Sequence, residues 1–263
     1  MKIWIFAHVR NEAHMMPFFL RHYAAFADEI HIYDDGSTDG TREIVAGCRR
    51  AFLHDIPFTG LDEHALLDLA YREYPTARGH ADFVMWPDID EFVYAPDIIA
   101  SLRRHLQSGY DCVRPLGFNM MGSVPVDDGK SQIWELLRSG IRAEVYSKPI
   151  IFRPECTIRW APGKHKLAEP KPSRAPEEDP NVVNPWRIKL LHYRYLTEEY
   201  TRQRSARQYE RSTNKGTAWG CSPEYQGEHS ASWVNRVLPH AYDVVAADAC
   251  YRPVPETRDL YHL

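Results

Sequence analysis

The sequence predicts an α/β fold with a mostly parallel, Rossmann-like sheet flanked by helices. Short apolar, β-prone runs alternate with segments of helical spacing through the first half of the chain. Such alternation is typical of parallel strands joined by right-handed helical crossovers. Polar clusters also follow three of the predicted strands, at 8–12, 34–37 and 88–91. The carboxyl ends of strands are where open α/β sheets bind ligands.

The elements of the first half follow from periodicity and turn signals. Residues 2–8 are an apolar run, 29–33 alternate as a strand does, and 34–37 form a turn signal. Helical segments carry apolar residues on one side or begin with Ser, Thr, Asp or Pro. The predicted strands are 2–8, 29–33, 52–56 and 81–86. The predicted helices are 11–27, 38–50, 61–74 and 96–106.

The second half is less regular. Strands are predicted at 111–118, 147–153 and 186–195, and a helix from 197 to about 214. Five prolines among charged residues in 169–185 favour an extended loop. The tail from Lys215 is weakly patterned, so we expect loops and one short helix there.

Bulk composition excludes several classes of protein. A length of 263 residues fits one large α/β domain, or one domain with a modest appendage. The net charge of −4 and the pI near 6.4 argue against a globally basic nucleic-acid binder. Five scattered cysteines without zinc spacing fit free thiols in a reducing compartment. The chain has no apolar run long enough to span a bilayer, so we expect a cytoplasmic protein, or one held at a membrane surface by a partner.

Asp88 and Asp90 follow the fourth predicted strand with one residue between them. A divalent cation neutralises the charge that grows on a diphosphate leaving group, because it acts as a Lewis acid. Such cations bind one or two protein carboxylates, and phosphates and waters complete the shell. A solvated turn is the ordinary interpretation of Asp-x-Asp. The position at the end of a buried strand favours a cation and diphosphate site here.

A second acidic cluster, Asp34-Asp35-Gly-Ser-Thr-Asp-Gly-Thr41, follows the second strand. It predicts an Asx-rich turn that caps the next helix. A carboxylate at that edge of the sheet would also suit hydrogen bonds from a uracil-like base or a ribose.

These motifs together resemble family 2-like glycosyltransferases of the GT-A fold. The resemblance spans roughly residues 3–205 and depends on the order of the motifs rather than on any one of them. Trp86-Pro-Asp-Ile-Asp-Glu-Phe92 is similar to the Asp-x-Asp-Glu-Phe variant of that family's metal motif. The other motifs are Val9-Arg-Asn-Glu12, Tyr33 to Thr41, Lys148 to Pro154, Gly163-Lys-His165 and Leu191-His-Tyr-Arg-Tyr195.

The resemblance implies a nucleotide-diphosphate-sugar donor, expected to be a UDP-sugar, together with Mn²⁺ or Mg²⁺. It implies a GT-A catalytic domain at 1–195, with a nucleotide-sugar half at 1–110 and an acceptor half at 111–195, and a helical extension at 196–263. The metal motif maps onto Asp88 and Asp90, with Asp90 as the direct ligand. His192, or else His165, is expected to complete the metal shell. The predicted donor-binding residues are Arg10, Asn11, Glu12, Asp34, Asp35, Asp88 and Lys148.

The catalytic base and the acceptor site are less sharply indicated. Inverting members of the family use a carboxylate to deprotonate the acceptor. Glu91 is the nearest candidate in sequence, and Glu135 and Asp127 are the runners-up. A retaining reaction stays open. The last predicted helix has a basic face formed by Arg204, Arg207 and Arg211. This face could bind an anionic acceptor, or it could simply be the solvated side of a surface helix.

Three other functions compete with glycosyl transfer to a glycan, lipid-linked sugar or other hydroxyl. A nucleotidyltransferase acting on sugar phosphates also uses a Rossmann-like sheet and a carboxylate-bound metal. The first loop, His8 to Glu12, has none of the glycines common in that class. A transferase that uses modified DNA as acceptor fits the basic helix but not the net charge. A binding protein with an inactive transferase fold is opposed by the intact Asp88 and Asp90.

Overall fold

The structure is a computed structural model that describes residues 1–57, 62–168, 188–211 and 230–246. Its strands are β1 Ile3–Val9, β2 Glu29–Asp34, β3 Ala51–Asp55, β4 Phe83–Met85, β5 Glu91–Tyr94, β6 Cys112–Val113, β7 Leu116–Met120, β8 Ser139–Arg142, β9 Ile151–Phe152, β10 Lys189–His192 and β11 Tyr242–Asp243. Its α-helices are α1 Met16–Ala24, α2 Thr41–Ala46, α3 Glu63–Glu73, α4 Ile98–Gln107, α5 Ile133–Leu136, α6 Glu198–Arg211 and α7 Ser230–Val237.

A six-stranded sheet occupies the centre of the first half, in the order β3-β2-β1-β4-β9-β6. Strand β1 pairs in parallel with β2 and β4, and β2 pairs in parallel with β3. Strand β9 pairs antiparallel with β4 and β6. Val9, Asp34 and Asp55 stand level at the carboxyl ends of three parallel strands. The predicted α/β class with a mostly parallel sheet is therefore confirmed.

A second sheet of five strands, in the order β11-β8-β7-β10-β5, lies in the other half. Its β7 and β10 pair in parallel, whereas its other neighbours pair antiparallel. Strand β5 begins at Glu91 and pairs with β10, so that Glu91 stands opposite His192. This pairing brings the Asp-x-Asp segment beside a histidine that lies about a hundred residues later in the chain.

One continuous core joins the two sheets. Ile3, Ile5, Phe19, Phe92 and Leu190 are all fully buried members of one cluster. The described part of the predicted extension also packs against the second sheet, since Trp233, Val234 and Val237 form a cluster with Met121 and Ile141. The boundary predicted at residue 196 stays a prediction.

Two predicted helices begin later than expected, for local reasons. The helix predicted at 11–27 begins at Met16, because Asn11 has a left-handed backbone with φ 53° and the chain turns before Pro17. The helix predicted at 38–50 begins at Thr41, because Gly40 is left-handed and the Asp39 carboxylate accepts the Thr41 N–H.

The strand predicted at 111–118 is two strands in two sheets, β6 and β7. Pro115 separates them, since proline has no N–H to give to a ladder. The strand predicted at 147–153 is reduced to Ile151–Phe152, because residues 144–148 turn tightly. Strands β5, β8 and β11 were not predicted. The predictions for the proline-rich 169–185 and for most of the tail from Lys215 lie outside the described residues.

No helix in the described ranges is both long and apolar enough to cross a membrane.

Candidate active site

Four backbone-to-side-chain hydrogen bonds join the loop after β1 to the loop after β2, one of them from the Ala13 N–H to Asp39 Oδ2 at 3.0 Å. The Asn11 N–H donates to Ser37 Oγ at 2.9 Å, and the Glu12 N–H donates to Thr41 Oγ1 at 2.9 Å. In return, the Thr38 N–H donates to Asn11 Oδ1 at 2.7 Å. These bonds hold the two loops as one unit at the carboxyl edge of the first sheet.

The left-handed backbone of Asn11 makes this arrangement possible. Asparagine tolerates that conformation better than most residues with a Cβ. Gly36 is also left-handed, with φ 73°, and the Arg10 guanidinium lies close above it. The residue types Arg-Asn in one loop and Asp-Gly-Ser in the other are therefore required by backbone geometry as well as by any ligand.

Asp34 and Asp35 are completely buried, with 0% of each side chain exposed. The Asp34 carboxylate accepts the Ser37 N–H at 3.1 Å and an ion pair from Arg42 at 2.6 Å. The Asp35 carboxylate faces His8 at 3.6 Å and Arg10 at 4.0 Å. In this arrangement both carboxylates hold the loops together. We expected one of them to accept a hydrogen bond from a base or a ribose, but both are enclosed by protein partners.

Arg10, Asn11 and Glu12 are partly exposed in this unit. Arg10 also donates to the Asp35 carbonyl at 2.5 Å, so its guanidinium is held against the second loop. A ligand at this edge would meet these three side chains before the buried aspartates.

Asp88 is paired with two lysines rather than standing free. Its Oδ2 lies 2.8 Å from Lys148 Nζ, and its Oδ1 lies 2.6 Å from Lys164 Nζ. Desolvation works against its ionisation, but the two ammonium groups hold the pKa of Asp88 well below its usual range. The Asp88 side chain is 45% exposed, so this cluster reaches the surface.

Glu91 lies beneath that cluster, with 0% of its side chain exposed. It lies 2.5 Å from Lys148 Nζ and accepts the Asp88 N–H at 3.0 Å. Burial tends to lower the pKa of Lys148, but the Asp88 and Glu91 carboxylates raise it well above its usual range. This geometry does not fit the predicted role of Glu91 as catalytic base, because its carboxylate is enclosed and paired.

The two other candidate bases also have local structural partners. Asp127 forms an ion pair with Arg21 at 2.5 Å. Glu135 accepts the Gln132 N–H at 2.8 Å and so caps α5. The described residues therefore assign no acceptor base among the three carboxylates that the sequence suggested.

Asp90 is buried and is bridged to the first loop by one arginine. Arg204 Nη2 lies 2.8 Å from Asp90 Oδ2, while Arg204 Nη1 lies 3.0 Å from Glu12 Oε1. Burial works against ionisation of Asp90, but the Arg204 guanidinium lowers the pKa of that carboxyl below its ordinary value. The Asp-x-Asp segment and the loop after β1 are thus held at one site by helix α6.

His192 faces the same aspartate, with Nε2 at 3.6 Å from Asp90 Oδ2. Its other ring nitrogen, Nδ1, donates to Asn119 Oδ1 at 3.0 Å, which leaves Nε2 as the lone-pair nitrogen. Burial lowers the pKa of His192 to about 3, so the ring is neutral at ordinary pH. The Tyr146 ring lies against it at a tilt of 34°, with the ring centroids 4.2 Å apart.

His165 has a different environment. Its Nδ1 donates to the Val145 carbonyl at 2.6 Å, and its ring meets Tyr146 edge-on. Burial lowers the pKa of His165 to about 4, and Lys148 adds to that shift. Across the described ranges, no group of three or more His, Cys, Asp or Glu side chains comes together in a way that could hold a metal ion. The four predicted ligands therefore do not form one shell.

The basic face of α6 is divided. Arg204 is partly exposed and pairs with Glu12 and Asp90, whereas Arg207 is exposed. The Arg211 side chain lies outside the described residues. Arg204 is thus held between the loop after β1 and the Asp-x-Asp segment, and the predicted three-arginine acceptor surface stays a prediction.

Sequence reasoning missed the roles of Lys164, Arg204 and Asn119 in this site. Lys164 lies inside the quoted Gly163-Lys-His165 motif, so a signal for it was present. Arg204 and Asn119 reach Asp90 and His192 from distant segments, and their spacing alone carries no such signal.

No protein-family model and no curated protein matches the chain. Among solved structures, glucosyl-3-phosphoglycerate synthase from Mycobacterium tuberculosis, in complex with Mn²⁺, uridine diphosphate and phosphoglyceric acid, is 21% identical with a TM-score of 0.33. That match covers 45% of this chain and 43% of the synthase, so the chain corresponds to less than half of the synthase's length.

Two further solved structures are similar at the same level. Residues 1–349 of S. aureus TarS are 12% identical, with a TM-score of 0.38, 99% of this chain covered and 78% of that one. Mannosyl-3-phosphoglycerate synthase from Rubrobacter xylanophilus is 16% identical, with a TM-score of 0.38, 62% of this chain covered and 57% of that one. These values are too low to assign an activity, so the functional argument depends on the site's own residues.

Proposed function

We propose that this chain is a glycosyltransferase of the GT-A type that moves a sugar from a nucleotide-diphosphate sugar to a hydroxyl acceptor. The bridge through Arg204 carries this proposal, because it holds the Asp-x-Asp segment and the loop after β1 at one edge of the sheet. Ligands of open α/β sheets bind at that edge. The site therefore places the loop after β1 and the charged groups of the Asp-x-Asp segment together at the edge where a nucleotide diphosphate would bind.

In the reaction, the bond between the anomeric carbon and the diphosphate oxygen breaks, and its electron pair stays on that oxygen. A bond forms between the anomeric carbon and the acceptor oxygen. The products are the glycoside, the nucleoside diphosphate and one proton from the acceptor hydroxyl. The chain must therefore orient the donor and stabilise the charge that appears on the leaving group.

Arg10, Asn11 and Glu12 are the residues we assign to the nucleotide wall, since they lie in the joined loops and are partly exposed. Asp34 and Asp35 act through them by holding the loop conformation. The donor is expected to be a UDP-sugar. Its sugar is selected by loops that carry no recognisable sequence motif.

A divalent cation fits Asp90 and His192 but not Asp88 and His165. The neutral His192 presents a lone pair toward the Asp90 carboxylate at 3.6 Å, and one or two protein ligands suffice when phosphates complete the shell. Both Asp88 oxygens are instead paired with ammonium groups, and His165 forms no ion pair with a carboxylate among the described residues. A bound Mn²⁺ or Mg²⁺ would neutralise charge on the diphosphate. Arg204 would then give up its position on Asp90.

The test is a screen of nucleotide sugars for donor hydrolysis or transfer in the presence of Mn²⁺, with wild type and Asp90→Asn. We expect turnover of at least one donor by wild type and a loss of at least about 100-fold in the variant, as for removal of a transition-state charge contact. Wild type that neither binds nor turns over any nucleotide sugar would refute the proposal. Pyrophosphate release from a nucleoside triphosphate and a sugar phosphate would instead identify a nucleotidyltransferase.

A further inference from the structure

The Lys164 side chain occupies an unusual position that the Asp-x-Asp motif does not explain. Lys164 has a left-handed backbone with φ 59°, directly after Gly163 with φ 77°. A residue with a Cβ adopts this conformation at a cost of roughly 1 kcal/mol, and such strain concentrates at functional sites. The turn brings Lys164 Nζ to 2.6 Å from Asp88 Oδ1 and 3.3 Å from the Trp86 carbonyl.

We propose that Lys164 binds the diphosphate of the donor directly, and that Asp88 is the residue that positions it rather than a metal ligand. This inference rests on the proposed glycosyltransferase function. It gives Lys164 a role in diphosphate binding that the function does not itself require. The two aspartates of the motif then have different roles. Asp88 holds the ammonium groups of Lys148 and Lys164, and Asp90 with His192 would face a bound cation.

The charges around Asp88 support this assignment. Two bare carboxylates at 88 and 91 would repel an incoming diphosphate. Lys148 lies between them, within 2.8 Å of Asp88 and 2.5 Å of Glu91, and is almost completely buried. Together with Lys164 it offsets the charge of both carboxylates, so their repulsion of a diphosphate is reduced.

Lys164 is also the member of this cluster that can reach a ligand. An ammonium group has three donor hydrogens, and Lys164 uses two of them, on Asp88 and on the Trp86 carbonyl. Its side chain is 13% exposed, whereas that of Lys148 is 4% exposed. The third hydrogen can therefore bind a phosphate oxygen at the surface beside the half-exposed Asp88.

In the transfer step, Lys164 would stabilise the diphosphate oxygen that receives the electron pair of the broken bond. No covalent bond to Lys164 forms, and its proton stays on Nζ. The contact exists with the bound donor and strengthens as charge grows on the leaving oxygen. Loss of Lys164 is thus expected to weaken diphosphate binding and to slow the transfer.

The test compares binding of nucleoside diphosphates with binding of the parent nucleosides by isothermal titration calorimetry, in the presence of Mn²⁺. The variants are Lys164→Gln, the conservative Lys164→Arg and the matched control Lys166→Gln, which removes an exposed lysine two residues away. We expect Lys164→Gln to weaken the diphosphate by roughly 10- to 100-fold and to leave the nucleoside unchanged. Lys164→Arg should restore much of the loss, and Lys166→Gln should behave as wild type.

Each other outcome has a distinct meaning. Equal diphosphate affinity in Lys164→Gln and wild type would overturn the role of Lys164 and leave the proposed function standing. Equal loss of diphosphate and nucleoside would also overturn it, because a collapsed loop rather than a lost phosphate contact explains that pattern. Wild type that binds none of the nucleoside diphosphates would overturn the proposed function itself.

The cation gives a second, independent readout. Mn²⁺ binding followed by electron paramagnetic resonance should be kept in Lys164→Gln and in Asp88→Asn, and lost in Asp90→Asn. Loss of Mn²⁺ binding in Asp88→Asn, with a normal melting temperature, would show that Asp88 is a metal ligand and would contradict the assignment.

Discussion

Replacement of Lys148 by Met tests the buried ion pair beneath the site. Glu91 is completely buried, and among the described residues its carboxylate contacts Lys148 Nζ and the Asp88 N–H. Removal of one partner of a buried pair costs about 3–5 kcal/mol, because the other charge stays buried and unpaired. Asp88 adds little to that cost, because it is half exposed and keeps Lys164. We expect a loss of about 3–5 kcal/mol in the free energy of unfolding.

The measurement is urea-induced unfolding, with Lys166→Met as the control for loss of an exposed lysine. The double variant Lys148→Met/Glu91→Gln removes the stranded charge, so it should recover a large part of the loss. Burial already raises the pKa of Glu91 in the wild type, and the loss of Lys148 should raise it further. The added destabilisation should therefore be small below the pKa of the unfolded state and should grow as the pH rises from there to the raised pKa.

Two results would refute this reasoning. The first is a free energy of unfolding for Lys148→Met within about 0.5 kcal/mol of the control, which is the range of ordinary surface substitutions. The second is a double variant no more stable than Lys148→Met, which would show that the unpaired carboxylate is not the source of the loss.

Three further predictions concern the cation, the joined loops and the buried histidines. Asp90→Asn should weaken Mn²⁺ binding at least about 10-fold and Asp88→Asn less than about 3-fold, measured by electron paramagnetic resonance. Asn11→Ala should lower stability by about 1–3 kcal/mol in urea unfolding, because it loses a hydrogen bond and the left-handed preference, and Asn11→Gly should lose less. His22 and His192 have pKa values lowered to about 3 by burial, so the melting temperature should fall as the pH drops from 6.5 toward 3. A flat melting temperature across that range would contradict their burial as neutral rings.

The first sheet could be predicted because its determinants are local. Strands β1 to β4 are short apolar runs bounded by turn residues, and their order along the chain alternates with helices. The same locality explains the acidic cluster after β2, where the turn and the next helix start within eight residues of Asp34. The predicted ends of helices were less accurate where a contact between loops prevents a helical backbone, as at Asn11.

The second sheet could not be predicted in the same way. Strand β10 pairs with β5 and β7, which lie about a hundred and about seventy residues earlier, and neither pairing leaves a local pattern. Strand β5 also begins within the Asp-x-Asp-Glu motif, so its strand character was hidden behind the stronger chemical signal. His192 reaches the site only because β10 enters this sheet.

The sequence by itself determined the α/β class, the parallel first sheet and the position of Asp88 and Asp90 after its fourth strand. These depend on periodicity and turn chemistry within a few residues. The tertiary structure alone decided that Asp88 pairs with Lys148 and Lys164, that Asp90 faces His192 and Arg204, and that Glu91 is enclosed. The partner of a buried charge is set by distance and desolvation in three dimensions, and two aspartates two residues apart can therefore have different chemical roles.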